Sequence, residues 1–371
     1  MGSIVKKTAT VVALAVAAGL ALSACAAPPT TTDTGTPAST GTATTAVSQP
    51  KYPDFLGCMI SDAGGFDDKS FNQSGWEGMV QAQTDLGIQV KPAESKDSND
   101  YAPNLAAMQA LNCNLTITVG FNLADATKAQ AEANPDSKFA IVDDNSITLP
   151  NVKPLIFKTS DAAFLAGYVA AAYSKTGIVA TFGGQQFPTV TIFMDGFVDG
   201  VAQYNADSGK SVKVLGWDKA AQNGSFTGDF DDQSKGQILA QGFIDQGADV
   251  IMPVAGPVGL GAAAAAQTAG NVAIVWVDAD GYETAPQYQD IFLTSVMKEI
   301  QAAVFDTISA TAAGQFSATP YIGTLANGGV GIAPYHNFDS QLPQDVKDKV
   351  EQLKQQIING TLKVVSPADP Q

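Results

Sequence analysis

The stretch "FLGCMISDAGGFDDKSFNQSGWEG", residues 55–78, joins a short apolar run to a polar, glycine-rich turn and then to a helical segment. The run Phe55–Ile60 is typical of a buried β-strand, and the turn places the start of a helix near Phe71. A strand, a turn and a helix in this order form the repeating unit of parallel α/β proteins. The stretch therefore predicts that fold class.

The same unit recurs along the chain beyond Pro50, where β-rich apolar runs alternate with helical segments. In a first group the predicted strands are Phe55–Ile60, Ile88–Lys91, Leu115–Val119, Phe139–Val142 and Leu155–Phe157, followed by a predicted helix over Ala162–Tyr173. In a second group they are Ile178–Phe182, Val212–Leu215, Val250–Val254 and Ala273–Val277. This weak repetition predicts two lobes, each with its own sheet.

The regular alternation ends after Val277. Later segments are predicted as a strand over Ile291–Ser295, a long helix over Met297–Ala313 and an amphipathic helix over Gln344–Ile358. They indicate a chain that passes between the lobes more than once, with a cleft at its centre. Lobe one is then predicted over residues 51–175 and about 296–322, and lobe two over residues 176–295 and about 323–371.

The N-terminal residues predict the compartment. Lys6 and Lys7 precede an apolar stretch, Ala9–Leu22, that is too short to span a bilayer as a mature helix. Leu22-Ser23-Ala24-Cys25 then matches the bacterial lipoprotein processing pattern, and an ordinary signal peptide with an incidental Cys25 is the alternative. We predict a signal peptide over residues 1–25, a flexible Thr/Ala/Pro-rich tether over residues 26–50, and an extracytoplasmic protein anchored to the bacterial cell membrane by a lipid on Cys25.

The composition excludes several classes of function. The formal net charge of the 371 residues is −16, and all 20 basic residues are lysine. Nucleic-acid recognition depends on clustered basic residues and on the bidentate guanidinium group of arginine, so we expect no nucleic-acid partner. Anionic ligands are disfavoured for the same reason.

Catalytic patterns are absent from the sequence. His336 is the single histidine, and no nucleophile elbow, P-loop or zinc-binding pattern occurs. "VAGPVGLGAAAAA", with Gly256, Gly259 and Gly261 ahead of Asp278, imitates a dinucleotide fingerprint, but the order of its glycines differs. We therefore predict a protein that is not an enzyme and that uses no cofactor and no metal.

Cys58 and Cys113 each lie in or beside a predicted buried strand of lobe one. Outside the cytoplasm a disulfide between them is possible, and two buried free thiols fit the sequence about as well.

Polar residues, glycines and aromatics follow the predicted strands of both lobes. In lobe one these positions are Ser61-Asp62, Gly120-Phe121, Asp143-Asp144 and Thr159-Ser160. In lobe two they are Gly183-Gly184, Gly216-Trp217, Ala255-Gly256 and Asp278. Because ligands of open parallel sheets bind beyond the carboxyl ends of the strands, the two edges predict a crevice that closes on a ligand.

The turn after the first strand has two simpler interpretations. Asp62, Asp67 and Asp68 could supply oxygens to calcium, but the spacing of an EF-hand loop is absent. Asp67, Asp68 and Ser70 could instead cap the following helix, and capping is compatible with ligand binding. Carboxylates accept hydrogen bonds from hydroxyls and aromatic rings stack on bases, so the residue types favour a neutral, planar, hydroxylated ligand, and a nucleoside more than a nucleotide.

Several motifs together resemble one family. They are "SDAGGFDDKSFNQSGWEG", "FAIVDD", "FLAGYVAA", "GFVDGV", "FDDQSKG", "QGADVIMPVAGPVGLG", "VDAD" and "TSVMK". In order, they resemble the basic membrane protein family of ABC-transporter solute-binding lipoproteins, which is similar to purine nucleoside receptor lipoproteins. The resemblance implies a type I periplasmic-binding fold, in which two Rossmann-like lobes joined by three crossovers close on a nucleoside. It also implies a monomer that passes this nucleoside to ABC permease and ATPase subunits.

The resemblance also implies the site residues. Asp68 would bond the edge of the base, Phe71 and Phe230 would stack on its two faces, and Phe226 competes with Phe230. Asp278 and Lys298 would hold the ribose, and Gly256 would let the backbone approach. The predicted ligand-binding set is Asp67, Asp68, Phe71, Asn72, Gly120, Phe121, Asp143, Phe230, Gly256, Asp278, Asp280 and Lys298.

Some alternatives stay open in the sequence. Many family members carry asparagine at the position of Asp67, and a second acid there could favour guanine or point to solvent. Another planar polyol such as riboflavin is an alternative ligand. A surface lipoprotein with a role in adhesion or signalling is an alternative function.

Overall fold

The computed structural model describes residues 50–370. The predicted signal peptide, the lipidation site Cys25 and the tether up to residue 49 lie outside the described residues. Within residues 50–370, no helix is both long and apolar enough to span a membrane.

The helices and strands follow one another along the chain as the alternation predicts. The first nine are β1 (Leu56–Ser61), α1 (Phe71–Leu86), β2 (Gln89–Ala93), α2 (Tyr101–Ala110), β3 (Leu115–Val119), α3 (Ala124–Ala133), β4 (Phe139–Val142), β5 (Val152–Phe157) and α4 (Thr159–Tyr173). The next nine are β6 (Ile178–Gly183), α5 (Pro188–Ser208), β7 (Lys213–Leu215), β8 (Trp217–Asp218), β9 (Asn223–Gly224), α6 (Gln233–Asp245), β10 (Val250–Val254), α7 (Val258–Ala269) and β11 (Ala273–Asp278). The last six are α8 (Gly281–Thr284), β12 (Phe292–Lys298), α9 (Ile300–Ala312), β13 (Tyr321–Gly323), β14 (Val330–Ile332) and α10 (Gln344–Ile358).

Two six-stranded sheets form the framework of the molecule. The first has the strand order β13-β5-β4-β3-β1-β2, and all of its pairs are parallel. The second has the order β14-β12-β11-β10-β6-β7, and its pairs are parallel except that β14 runs antiparallel to β12. Every residue of β3, β4, β10 and β11 is buried, as expected for parallel strands covered by helices on both faces. The predicted α/β class and the two sheets are confirmed.

The chain crosses between the two sheets three times. It leaves the first sheet after β5, returns after β12, and leaves again between β13 and β14. Here lobe one denotes the first sheet with α1–α3 and α9, and lobe two denotes the second sheet with α4–α8 and α10. This is the connectivity of a type I periplasmic-binding fold.

Helix α4 packs in lobe two, although the predicted boundary at residue 175 placed it in lobe one. It contacts α5, α10, β12 and β14. Glycines bring α4 and α5 close together: a Cβ on Gly167 would lie 2.2 Å from the carbonyl oxygen of Phe197, and one on Gly200 would lie 2.0 Å from that of Phe164. The boundary that fits these contacts is near residue 158, because a helix belongs with the sheet that it covers rather than with the strand that it follows.

The long helix predicted from Met297 begins three residues later. Met297 pairs with Asp278 of β11 on one side and with Gly331 of β14 on the other, so ladder hydrogen bonds extend β12 through Lys298. The helix α9 starts at Ile300. Lys298 is therefore the last residue of a central strand of lobe two.

Cys58 in β1 and Cys113 ahead of β3 form a disulfide. Both residues are buried in a core on one face of the first sheet, together with Ile60, Leu105 and Phe139. Of the two alternatives for these cysteines, the structure has the disulfide.

Candidate functional site

A cavity lies between the lobes, where the carboxyl ends of both sheets meet. It holds about 580 Å³ of space not occupied by atoms, including space open to solvent. From lobe one it is lined by Asp62, Ala63, Asp68, Phe71, Asn72, Gly120, Phe121, Asn122 and Asp143. From lobe two it is lined by Phe187, Thr189, Val190, Phe193, Phe230, Val254, Ala255, Gly256, Pro257, Asp278 and Lys298.

Lys298 lies at the centre of a buried charged cluster. Its Nζ atom forms an ion pair with Asp143 of lobe one and lies 3.5 Å from Oδ1 of Asp278 in lobe two. The same atom lies 5.0 Å from the ring centroid of Phe71. Burial would lower the pKa of Lys298, but the attraction of Asp143 and Asp278 outweighs it and raises this pKa. Lys298 is therefore a charged donor in a largely apolar cavity.

Asp143 and Asp278 hold corresponding positions in the two lobes. Asp143 directly follows β4, and Asp278 ends β11. Both have left-handed backbone conformations, with φ of 66° and 67°. Non-glycine residues are uncommon there, and strained residues of this kind cluster at functional sites. In each lobe, an aspartate with a left-handed backbone at the end of a strand thus directs its carboxylate toward Lys298.

The two oxygens of Asp278 have different surroundings. Oδ2 accepts a hydrogen bond from Oγ of Ser70 at 3.0 Å. Oδ1 is buried and, among the described residues, has no hydrogen-bond partner, although the ammonium of Lys298 lies 3.5 Å away. A buried acceptor without a partner is costly, so a ligand hydroxyl is expected to bond to Oδ1.

Asp68 caps helix α1. Its oxygens accept from the backbone N–H groups of Ser70, Asn72 and Gln73 at 3.0, 2.7 and 3.0 Å, and also from the side-chain amide of Asn72 at 3.1 Å. These four bonds use the four acceptor positions of a carboxylate. Burial raises the pKa of Asp68, and the hydrogen bonds oppose that shift. The carboxylate lines the cavity with its oxygens already engaged by the start of α1, and its contact with a base stays a prediction.

Asp62, which was not in the predicted set, and Asn72 form a second polar pair. Nδ2 of Asn72 donates to Oδ1 of Asp62 at 2.8 Å, while Oδ1 of Asn72 is buried without a hydrogen-bond partner among residues 50–370. A Cβ on Gly120 would lie 2.3 Å from Oδ2 of Asp62, so this carboxyl needs a glycine beside it. Burial, reinforced by the charges of Asp68, Asp143 and Asp278, raises the pKa of Asp62 to about 8. At neutral pH the group is largely protonated and can donate a hydrogen bond.

Aromatic rings from both lobes line the cavity. The rings of Phe187 and Phe230 are nearly parallel, with centroids 6.3 Å apart, and Phe121 of lobe one lies 5.2 Å from Phe187. Phe226 instead packs edge-on against Trp217 at 6.0 Å and is not among the residues that line this cavity. Of the two candidate rings, Phe230 is the one at the site.

Gly184 and Gly256 make room for backbone and rings in lobe two. A Cβ on Gly184 would lie 2.4 Å from the ring of Phe230, so that ring lies directly on the glycine. Gly256 lies two residues after β10, has a φ of 53° and lines the cavity.

Two predicted residues, Asp67 and Asp280, lie away from the cavity. The side chain of Asp67 is 87% exposed and pairs with Lys69, because its neighbour Asp68 turns inward to the helix and leaves it facing solvent. Asp280 caps α8 by accepting from the backbone N–H of Tyr282 at 3.1 Å, and it bonds to Nε2 of His336 at 2.7 Å. Its place in the "VDAD" motif gave no indication of this orientation.

Phe187 and Phe193 were also missed. Phe187 directly precedes α5 and Phe193 lies within it, and in the sequence they read as ordinary apolar positions of a buried helix. The signal for Asp62 was present, since it directly follows the first strand. In the part of the chain that the structure describes, no three His, Cys, Asp or Glu side chains are grouped so as to hold a metal ion.

Two parallel α/β lobes, three crossovers and a cavity lined from both lobes define a protein with the type I periplasmic-binding fold. The fold is similar to that of an ABC transporter solute-binding protein from Aeropyrum pernix K1, with a TM-score of 0.77, 24% identity, and coverage of 85% of this chain and 94% of that one. A second, from Conexibacter woesei DSM 14684, has a TM-score of 0.67 and 21% identity over 85% of this chain and 100% of that one.

Sequence comparison then identifies the family. Residues 55–366 match the Bmp family, described as ABC transporter substrate-binding protein PnrA-like, and the chain belongs to this family. It is 31% identical to the "ABC transporter nucleoside-binding protein BmpA" of Lactococcus lactis subsp. cremoris, over 84% of this chain and 90% of that protein. It is 29% identical to "Basic membrane protein A" of Borreliella afzelii, over 80% of this chain and 87% of that protein. The resemblance seen in the motifs is confirmed.

Proposed function

We propose that this substrate-binding protein binds a purine nucleoside between its lobes and delivers it to the permease and ATPase of an ABC importer. The observation that carries the proposal is the cavity itself, in which aromatic rings from both lobes surround the cluster of Asp143, Lys298 and Asp278. Rings favour a flat base, and the cluster favours hydroxyls. The relative from L. lactis is named for nucleoside binding, which supports the same conclusion.

The ribose would lie at the charged cluster. Oδ1 of Asp278 is an acceptor without a hydrogen-bond partner among the described residues, and the ammonium of Lys298 is a donor 3.5 Å from it. A vicinal diol can donate to such an oxygen and accept from such an ammonium at the same time. A 5′-phosphate would bring a further anion into a cavity that already holds several aspartates, so a nucleoside fits better than a nucleotide.

The edge of the base would lie at Asp62 and Asn72. Oδ1 of Asn72 can accept a hydrogen bond, and the protonated carboxyl of Asp62 can donate one. A neighbouring donor and acceptor on one edge of the base complement this pair. Inosine and guanosine supply N1–H and O6, and adenosine supplies N6–H and N1, so we expect purine nucleosides of both kinds to bind. Because Asp67 is exposed and paired with Lys69, it has no part in this contact.

Calorimetric titration tests the ligand. Adenosine, guanosine, inosine, uridine and riboflavin are titrated separately into the full chain. The proposal expects adenosine, guanosine or inosine to bind with a dissociation constant below about 100 μM, within the usual range for metabolites. Binding of riboflavin alone, or of none of the five, would overturn it.

Membrane anchoring is the second part of the proposal. It rests on the lipoprotein pattern that ends at Cys25. Metabolic labelling with radioactive palmitate should mark the wild-type chain and not the Cys25→Ala variant. Equal labelling of both would contradict the anchor.

A further inference from the structure

The lobes touch each other directly at the turn Lys69–Ser70, which precedes α1 in lobe one. The carbonyl oxygen of Lys69 accepts two hydrogen bonds from lobe two, one from Nε1 of Trp276 at 3.2 Å and one from Oγ1 of Thr284 at 2.7 Å. Trp276 lies in β11 and Thr284 in α8. One carbonyl group of lobe one thus engages two separate elements of lobe two.

Ser70 adds a second point of contact beside the first. Its hydroxyl lies 3.1 Å from the carbonyl oxygen of Val277 and 3.0 Å from Oδ2 of Asp278, so one proton serves two acceptors on β11. Ser70 and Trp276 are fully buried. If the cleft opened here, these donors and acceptors would lose their partners in the other lobe. Each would then need a hydrogen bond from water instead.

The turn is preformed in lobe one. Asp68 accepts from the backbone N–H of Ser70 and from two further N–H groups of α1, which fixes the turn to the helix. Lys69 has a φ of 61°, a left-handed conformation that is uncommon for a lysine. This backbone turn presents the carbonyl of Lys69 toward lobe two. The hydrogen bonds to Asp68 within lobe one thus hold the turn that brings this carbonyl to its two partners in lobe two.

We propose that Lys69 and Ser70 form an interlobe latch, which stabilises the closed cleft through Trp276, Thr284 and β11 without any contribution from ligand. The latch sets the fraction of ligand-free molecules whose cleft is closed. This fraction in turn determines how far the apparent affinity for ligand falls below the intrinsic affinity of the closed state. One ordinary hydrogen bond contributes enough to change the ratio of open to closed molecules by roughly twofold to tenfold.

Exchange of the indole N–H of Trp276 with solvent, followed by NMR on the ligand-free full chain, tests the latch. This N–H bonds across the lobes, whereas Nε1 of Trp217 donates to Asp195 within lobe two at 2.8 Å and provides an internal reference. Thr284→Val and Ser70→Ala should each speed exchange at Trp276 by roughly twofold to tenfold and leave Trp217 unchanged.

The control variant is Thr181→Val. It removes a hydroxyl that donates to the carbonyl of Met252 at 2.9 Å, a bond of similar length that stays within the second sheet. Exchange at Trp276 should match the wild type in this variant. Wild-type exchange at Trp276 in both Ser70→Ala and Thr284→Val, or an equal rise at Trp217, would overturn the latch. No nucleoside is present, so the result is independent of whether the proposed ligand is correct.

Discussion

The two lobes contribute different chemistry to one cavity. Lobe one presents polar groups that are already bonded to one another, with Asp68 and Asn72 fixed at the start of α1 and Asp62 fixed by Asn72. Lobe two presents mainly apolar surface, including Phe187, Phe193 and Phe230. Thr189, Asp278 and Lys298 are the polar side chains among the lining residues of lobe two. Under the proposed function, this difference assigns recognition of the polar edge of the base to lobe one, and most of the cover for its flat faces and the contacts to hydroxyls to lobe two.

The largest effect is expected at Lys298, whose ammonium contacts a carboxylate of each lobe. Lys298→Met leaves the carboxylate of Asp143 buried without its ion-pair partner, which should lower the free energy of unfolding by about 3–5 kcal/mol and abolish nucleoside binding. Chemical denaturation measures the first effect and calorimetry the second.

The double variant Asp143→Asn/Lys298→Met separates charge from shape. It removes both partners of the pair, so it should recover part of the lost stability while binding stays absent. If the double variant is as unstable as the single one, the buried charge is not the cause of the instability.

Asp278→Asn is expected to have the next largest effect. Asparagine tolerates the left-handed backbone at this position, so the variant changes the charge and leaves the fold intact. Loss of a charged acceptor should weaken nucleoside affinity by about 1.5–3 kcal/mol, or roughly 10- to 100-fold, by calorimetry. Asp280→Asn, outside the cavity, is the matched control and should bind as the wild type does. If the affinity of Asp278→Asn stays within threefold of the wild type, Asp278 does not hold the ribose.

Much of the site could be predicted because the ends of the strands can be located in the sequence. Apolar runs locate the strands, and Asp143, Gly256 and Asp278 follow from the rule that ligands bind beyond carboxyl ends. The direction in which a side chain points could not be read in this way. Asp67 and Asp68 are adjacent and equally acidic, yet one faces solvent and the other caps α1. The placement of α4 was also beyond the sequence, since its contacts with α5 depend on a crossover between lobes.

Gly120→Ala should have a smaller effect, confined to lobe one. A Cβ there would lie 2.3 Å from Oδ2 of Asp62, and φ is 119°, so the substitution displaces the carboxyl and strains the backbone by about 1–3 kcal/mol. Gly209→Ala is the control, because its φ is 69° and a Cβ would meet nothing within 4 Å. Both variants should lose stability in denaturation experiments, but only Gly120→Ala should also lose nucleoside affinity. If Gly120→Ala binds the nucleoside as tightly as Gly209→Ala does, Asp62 has no role in binding.

A separate prediction concerns the slope of stability against pH. Burial raises the pKa of Asp62 to about 8 in the folded chain, whereas an unfolded aspartate titrates near 4, so the folded state binds more protons between these values. The free energy of unfolding therefore falls as pH rises from about 4 to about 8, and this contribution is constant above that. Asp62→Asn should flatten the profile measured by denaturation at pH 5 and pH 7.5. An unchanged profile would show that Asp62 is ionised at neutral pH.

Native mass spectrometry tests the central claim most directly. The full chain is incubated with an equimolar mixture of adenosine, guanosine, inosine, uridine and riboflavin, and the mass of the bound species identifies the ligand. We predict one purine nucleoside on each monomer of the wild type and none on Lys298→Met. Retention of riboflavin alone, or of no ligand by the wild type, would contradict a nucleoside site between the lobes.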